Sequence, residues 1–150
     1  MLWCYCSDKE NIAHLFFNCS LASILWRIIH TTLGLRRPNN VNHIFGSWLR
    51  GLTKSHKSLV YTGIAGLCWA IWCSRIDTVF QKTKNQTSLP IIFMATYLTR
   101  ACAILHKEED REAIAAACRM LETVAMDFYA TNGWMFSNRL ACNLFPTLLR

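Results

Sequence analysis

Three cysteines and a histidine crowd the front of the chain, as Cys4, Cys6, His14 and Cys19 within 16 residues. Four soft or borderline donors are what a structural zinc site requires. Gathering them restricts the backbone more than any other feature of the sequence. The spacing is Cys4-x-Cys6-x7-His14-x4-Cys19. Five steps along an ideal α-helix turn about 500°, which leaves His14 and Cys19 about 140° apart. A continuous α-helix cannot present both to one ion, so the backbone between them is expected to bend. Cys4 and Cys6 stand closer than the two to four residues that usually separate paired zinc cysteines. Spacing alone therefore leaves two readings open. In one, a tetrahedral Cys3His site holds structural Zn2+. In the other, Cys4 has no ligand role, His14 makes an ordinary hydrogen bond and Cys19 packs under Trp26.

Beyond Cys19 the apolar residues recur at helical spacing, and no strand-like alternation of useful length interrupts them. Ser20 can cap a helix with Leu21, Ile24, Leu25, Ile28 and Ile29 on one face, ended by Gly34. Arg36-Arg37-Pro38-Asn39-Asn40 reads as a loop, followed by a short helix with Val41, Ile44, Phe45, Trp48 and Leu49 on one side. A central helix is expected from about residue 57 to about 81. Its stripe is Tyr61, Ile64, Cys68, Ile71, Trp72 and Val79, widened by Leu67 and Phe80. After the polar break at 82–86, Ser88 and Pro90 open a fourth helix. Glu108-Glu109-Asp110 opens a fifth, on residue types that suit the positive end of a helix dipole, and Asn132-Gly133 should close it.

Charge is laid out unevenly. The net charge is +7, and no acid lies between Glu10 and Asp77. Arg27, Arg36, Arg37, Arg50, Lys54 and Lys57 all fall in that interval and form the candidate nucleic-acid surface, because neutralising phosphates drives non-specific binding to RNA or DNA. A solvated basic surface without a partner accounts for the same residues. The eight cysteines do not read as a secreted disulfide scaffold. Several lie in apolar helical runs, and no signal sequence is legible, so an intracellular and not a secreted protein is expected. The charge-free run Leu59–Cys73 is 15 residues long, short of the roughly 20 that cross a bilayer, so a buried helix is expected and not a membrane span.

Set beside one another, Cys6, His14-Leu15-Phe16-Phe17-Asn18-Cys19 and Trp26 resemble the zinc-binding domain that follows the reverse transcriptase of plant LINE-type (non-LTR) retrotransposons. That family shows Cys-x2-Cys, a short acidic linker, His-Leu-Phe-x2-Cys and then a tryptophan. Leu67-Cys68-Trp69-Ala70-Ile71-Trp72 through Arg75 and Val79-Phe80 resembles the family's downstream helix, and Leu121–Tyr129 with Gly133-Trp134 resembles the region trailing it. The resemblance covers roughly residues 3–134. It departs from the family pattern at two places. Trp3 stands where the first cysteine belongs, leaving Cys4 one place late, and Ile76 replaces the usual asparagine after Arg75. The ligands the resemblance carries over are thus Cys6, His14 and Cys19, with Cys4 as a substitute.

The expectation is an all-α protein: a small N-terminal zinc knuckle (1–26), a four- to five-helix domain (27–135) and a poorly patterned tail (136–150). Polymerase and nuclease chemistry need gathered carboxylates, and Asp77, Asp110 and Asp127 sit in no motif that gathers them. No catalytic residue and no small-molecule substrate are expected. The resemblance implies a non-catalytic C-terminal fragment of a retrotransposon polyprotein that assists nucleic-acid binding, a task compatible with the nucleus. The alternative is a metal-free helical interaction module that docks protein through Trp48, Trp69 and Trp134 or, less favoured, a membrane-associated helical protein attached through the Leu59–Cys73 run.

Overall fold

Local start and stop signals become five α-helices in the computed structural model, which describes residues 11–81 and 88–132. They are α1 (Ser20–Leu33), α2 (Val41–Phe45), α3 (Lys54–Gln81), α4 (Ser88–Cys102) and α5 (Glu108–Asn132). A π-helical turn at His14–Asn18 precedes them, and a 3-10 turn at Ala103–Leu105 leads from α4 towards α5. The described residues contain no strand, so the all-α expectation holds there. The expected break at 82–86, the tail at 136–150, and Cys4, Cys6 and Trp134 lie outside the described residues.

Most helix ends follow the chemistry of their caps. Gly34 adopts φ 70°, the left-handed conformation that glycine reaches without a Cβ penalty, and its N–H closes α1 on the His30 carbonyl. Asn40 starts α2 by accepting a hydrogen bond from the His43 N–H at 2.8 Å. Glu108, Glu109 and Asp110 occupy the first turn of α5, where the dipole favours acids. One cap differs from expectation. Cys19, and not Ser20, is the N-cap of α1, and its sulfur accepts from the Ala22 N–H at 3.3 Å.

The central helix buries only part of its expected stripe. Ile64, Leu67 and Ile71 are buried as periodicity expects, together with Ala70 and Ser74, whereas Trp72, Val79 and Phe80 are exposed. Because α3 is apolar around most of its circumference, hydrophobic spacing does not set the edges of the buried face. Small residues narrow it. A Cβ on Gly66 would lie 3.0 Å from the Ala95 carbonyl and 2.8 Å from Thr99 Oγ1, so the absent side chain is what lets α4 approach. The Leu59–Cys73 run is accordingly only half buried, and Trp69 retains 57% of its surface in solvent. Segments 54–80 and 88–105 are each long and apolar enough to cross a bilayer by length and composition. Against each other, α3 and α4 make the most extensive helix contact among the described residues.

One core unites the elements. It runs from Phe17 in the π turn through Leu25 and Ile28 of α1, Ile44 of α2, Ile71 of α3 and Ile92 of α4 to Ala125 of α5. Each fully buried aliphatic or aromatic side chain contributes about 1.5–3 kcal/mol. The front of the chain is part of this core, since Cys19 and Phe17 belong to the same cluster and α1 continues through residue 26.

Candidate metal centre

Between His14 and Cys19 the backbone leaves the α-helical path. Asn11 starts the segment, its Oδ1 accepting from the His14 N–H at 2.8 Å and its carbonyl from the Leu15 N–H at 2.9 Å. The chain then widens into a π turn, and the Cys19 N–H reaches the His14 carbonyl, five residues back, at 2.9 Å. An i→i+5 bond places the two residues one wide turn apart, where an α-helix would have splayed them. At Cys19 the chain straightens (φ −68°, ψ 160°), and α1 begins at Ser20. The expected bend exists, and its form is a π turn followed by a single extended residue.

A π turn leaves carbonyls without their α-helical donors, and two distant side chains supply them. The Trp26 indole N–H donates to the Phe16 carbonyl at 2.9 Å, and Arg37 Nη1 donates to the Phe17 carbonyl at 3.0 Å. Phe17 stacks on Trp26 with centroids 6.3 Å apart, and Trp26 meets the edge of Trp48 at 5.8 Å. Trp48 Nε1 donates to the Arg36 carbonyl at 2.7 Å, tying the 34–38 loop to the turn after α2. The π turn is thus braced by α1, by the following loop and by the core.

Within this frame the two described donors have distinct surroundings. His14 Nε2 is buried, and among the described residues no hydrogen-bond partner lies within reach. A buried polar atom left in that state costs about 1–3 kcal/mol, unless something outside the described set satisfies it. Cys19 is fully buried, its sulfur lying 3.7 Å from the Leu15 carbonyl and accepting from the first turn of α1. The donor types and the orphaned imidazole nitrogen fit a zinc ligand pair. Cys4 and Cys6 lie outside the described residues, and the described ones alone contain no group of three metal-binding side chains.

The basic candidates divide into two settings. Arg27 on α1 is half buried, with its guanidinium 5.7 Å from the centroid of the Phe128 ring of α5. Arg36 and Arg37 lie on the loop after α1, Arg50 in the turn after α2, and Lys54 and Lys57 in the first turn of α3. Trp48 brings the first two of these segments together through Arg36. Arg36, Arg50 and Lys54 are exposed, and Lys57 is half buried. Arg37 is exposed too, although one guanidinium nitrogen is committed to Phe17. Phe17 is 2% exposed and offers no stacking surface.

Sequence reasoning did not find the brace. The signal was present in Trp26 and Trp48, two indoles at the ends of apolar stripes, each needing an acceptor when buried. Trp48, expected as an exposed docking residue, is half buried for this reason. Asp110 and Asp127 both lie on α5, about 25 Å apart at 1.5 Å per residue, and Asp77 lies on α3. No protein-family model matches the chain, and neither a characterised protein nor a solved structure matches it.

Proposed function

We propose that this chain is a non-catalytic, zinc-binding C-terminal fragment of a LINE-type retrotransposon reverse transcriptase polyprotein, and that it assists nucleic-acid binding. The observation that carries the reading is the π turn, which sets His14 and Cys19 one turn apart with the imidazole Nε2 buried and without a described partner. Cys6 and Cys4 would complete a Cys3His set, and Zn2+ held there would act as a structural cross-link. His14 would contribute Nε2, and Cys19 a sulfur held by the first turn of α1. Trp26 and Arg37 hold the backbone between them. Arg36, Arg50, Lys54 and Lys57 supply charge for phosphate contact.

Metal analysis of protein purified under reducing conditions tests the first half. About one zinc per chain is expected in the wild type and none in His14→Ala. A wild type that fails to retain added zinc removes the reading, and Cys4→Ser decides whether the offset cysteine is a ligand. Binding to single-stranded RNA should weaken steeply with added salt, and a salt-insensitive affinity would remove the second half.

A second reading, a protein-interaction module, draws on the outward face of α3. Trp69, Trp72, Ile76 and Phe80 are exposed at helical spacing, and Phe80 is 79% exposed. Sedimentation at several concentrations separates a self-associating module from a monomer.

A further inference from the structure

Lined by none of the candidate metal ligands, a cavity of about 340 Å3 opens among α1, α3, α4 and α5. Its floor is Ile64, Leu67, Ile92 and Ala95, all buried. The polar groups on its wall are already engaged, with the Thr99 hydroxyl donating to the Ala95 carbonyl at 2.7 Å and the Thr96 hydroxyl bonded to the Phe93 carbonyl at 3.0 Å. Inside, then, the cavity favours hydrocarbon over any group needing a hydrogen bond. Gly63 forms part of the wall, and a Cβ built there meets nothing within 4 Å. Close packing would normally place a side chain in such a space.

The opening has different chemistry. Leu33, Leu52, His56 and Ala113 are the exposed members of the lining, and His56 sets the mouth beside the first turn of α3. That turn carries Lys54, His56 and Lys57 and no acid. Asp110 reaches this end from α5, where the Ser55 hydroxyl lies 3.4 Å from its carboxylate. The helix dipole adds positive potential at the same place. We infer that the cavity binds the chain of a single-tailed aliphatic carboxylate, with its head group at the mouth beside His56, in the acid-free first turn of α3 that also carries Lys54 and Lys57. An apolar cavity of about 150 Å3 accepts benzene, so the volume here corresponds to roughly twelve carbons.

Titration calorimetry with dodecanoate, below its micelle concentration, tests the assignment on the full chain. Saturable one-to-one binding is expected in the wild type, and dodecanoate should raise the unfolding temperature. Gly63→Leu and Ala117→Leu fill the cavity from opposite walls, and each should weaken binding at least tenfold while keeping the far-UV circular dichroism. Ala65→Leu, on the exposed side of α3, should bind like the wild type. Absence of saturable binding in the wild type overturns the inference, as does unaltered affinity in whichever filling variant folds. Dodecanol should bind at least tenfold more weakly than dodecanoate, and equal affinity overturns the placement of the carboxylate.

Discussion

Two glycines three residues apart on α3 should respond to the same substitution with opposite signs. Replacing glycine by alanine inside a helix gains about 1 kcal/mol, because alanine restricts the unfolded chain. At Gly63 the new methyl enters open space, so the gain should survive. At Gly66 it would lie 3.0 Å from the Ala95 carbonyl and 2.8 Å from Thr99 Oγ1. That hydroxyl is itself bonded back to Ala95, so neither neighbour can withdraw without moving α4. Overpacking of this kind costs about 1–3 kcal/mol, which leaves Gly66→Ala about 1 kcal/mol less stable than the wild type. The two variants should therefore differ by about 2 kcal/mol, or roughly 4–8 °C for a chain of this size. Thermal unfolding of both proteins, followed by circular dichroism at 222 nm in one buffer, measures the difference. Equal stability, or a more stable Gly66→Ala, would refute the claim that absent side chains select the buried face of α3.

Further outcomes follow from the brace, the ion pair and the thiols. Trp26→Phe removes the donor to the Phe16 carbonyl and should cost about 2 kcal/mol in urea unfolding; a loss under about 0.5 kcal/mol would mean that the brace is ornamental. Arg100 holds the Glu122 carboxyl below the usual carboxylate range by hydrogen bonding, against a smaller opposing effect of burial, and the Thr96 hydroxyl assists. A lowered folded-state value gives stability that is complete above about pH 5 and is lost as pH falls through that value. The unfolding temperature of the wild type should thus fall more steeply in acid than that of Glu122→Gln, and parallel curves would contradict this. Burial pushes the Cys68 thiol up to about 11 and raises Cys118 as well. Iodoacetamide at pH 8 should therefore modify exposed Cys102 before either of them, as read by peptide mass spectrometry, and prompt labelling of Cys68 would contradict its burial.

Boundaries set by local chemistry were legible in the chain. Gly34, Asn40 and Glu108 each mark an end through a cap, a dipole or a left-handed residue, none of which depends on distant contacts, and Ser88 opens α4 where expected. The orientation of α3 was legible only in part: Ile64, Leu67 and Ile71 are buried as expected, but Trp72 and Phe80 are as apolar as they are and face outward. The choice depended on Gly66 meeting Ala95 and Thr99, which is a non-local fact. At the candidate metal centre, spacing required a bend between His14 and Cys19 but not its form. A π turn survives only where its carbonyls find donors, and these come from Trp26 and Arg37, ten residues after Phe16 and twenty after Phe17.

That dependence on distant donors has a thermodynamic corollary. In the zinc site proposed above, half of the ligand set would be shaped by the helical body before any ion arrived, so the ordering entropy for His14 and Cys19 would be spent during folding rather than at capture. Ion affinity should then track the integrity of the bundle as well as the identity of the donors. Damage at Trp48 or Arg37, neither of which is among the proposed ligands, should loosen the grip from a distance.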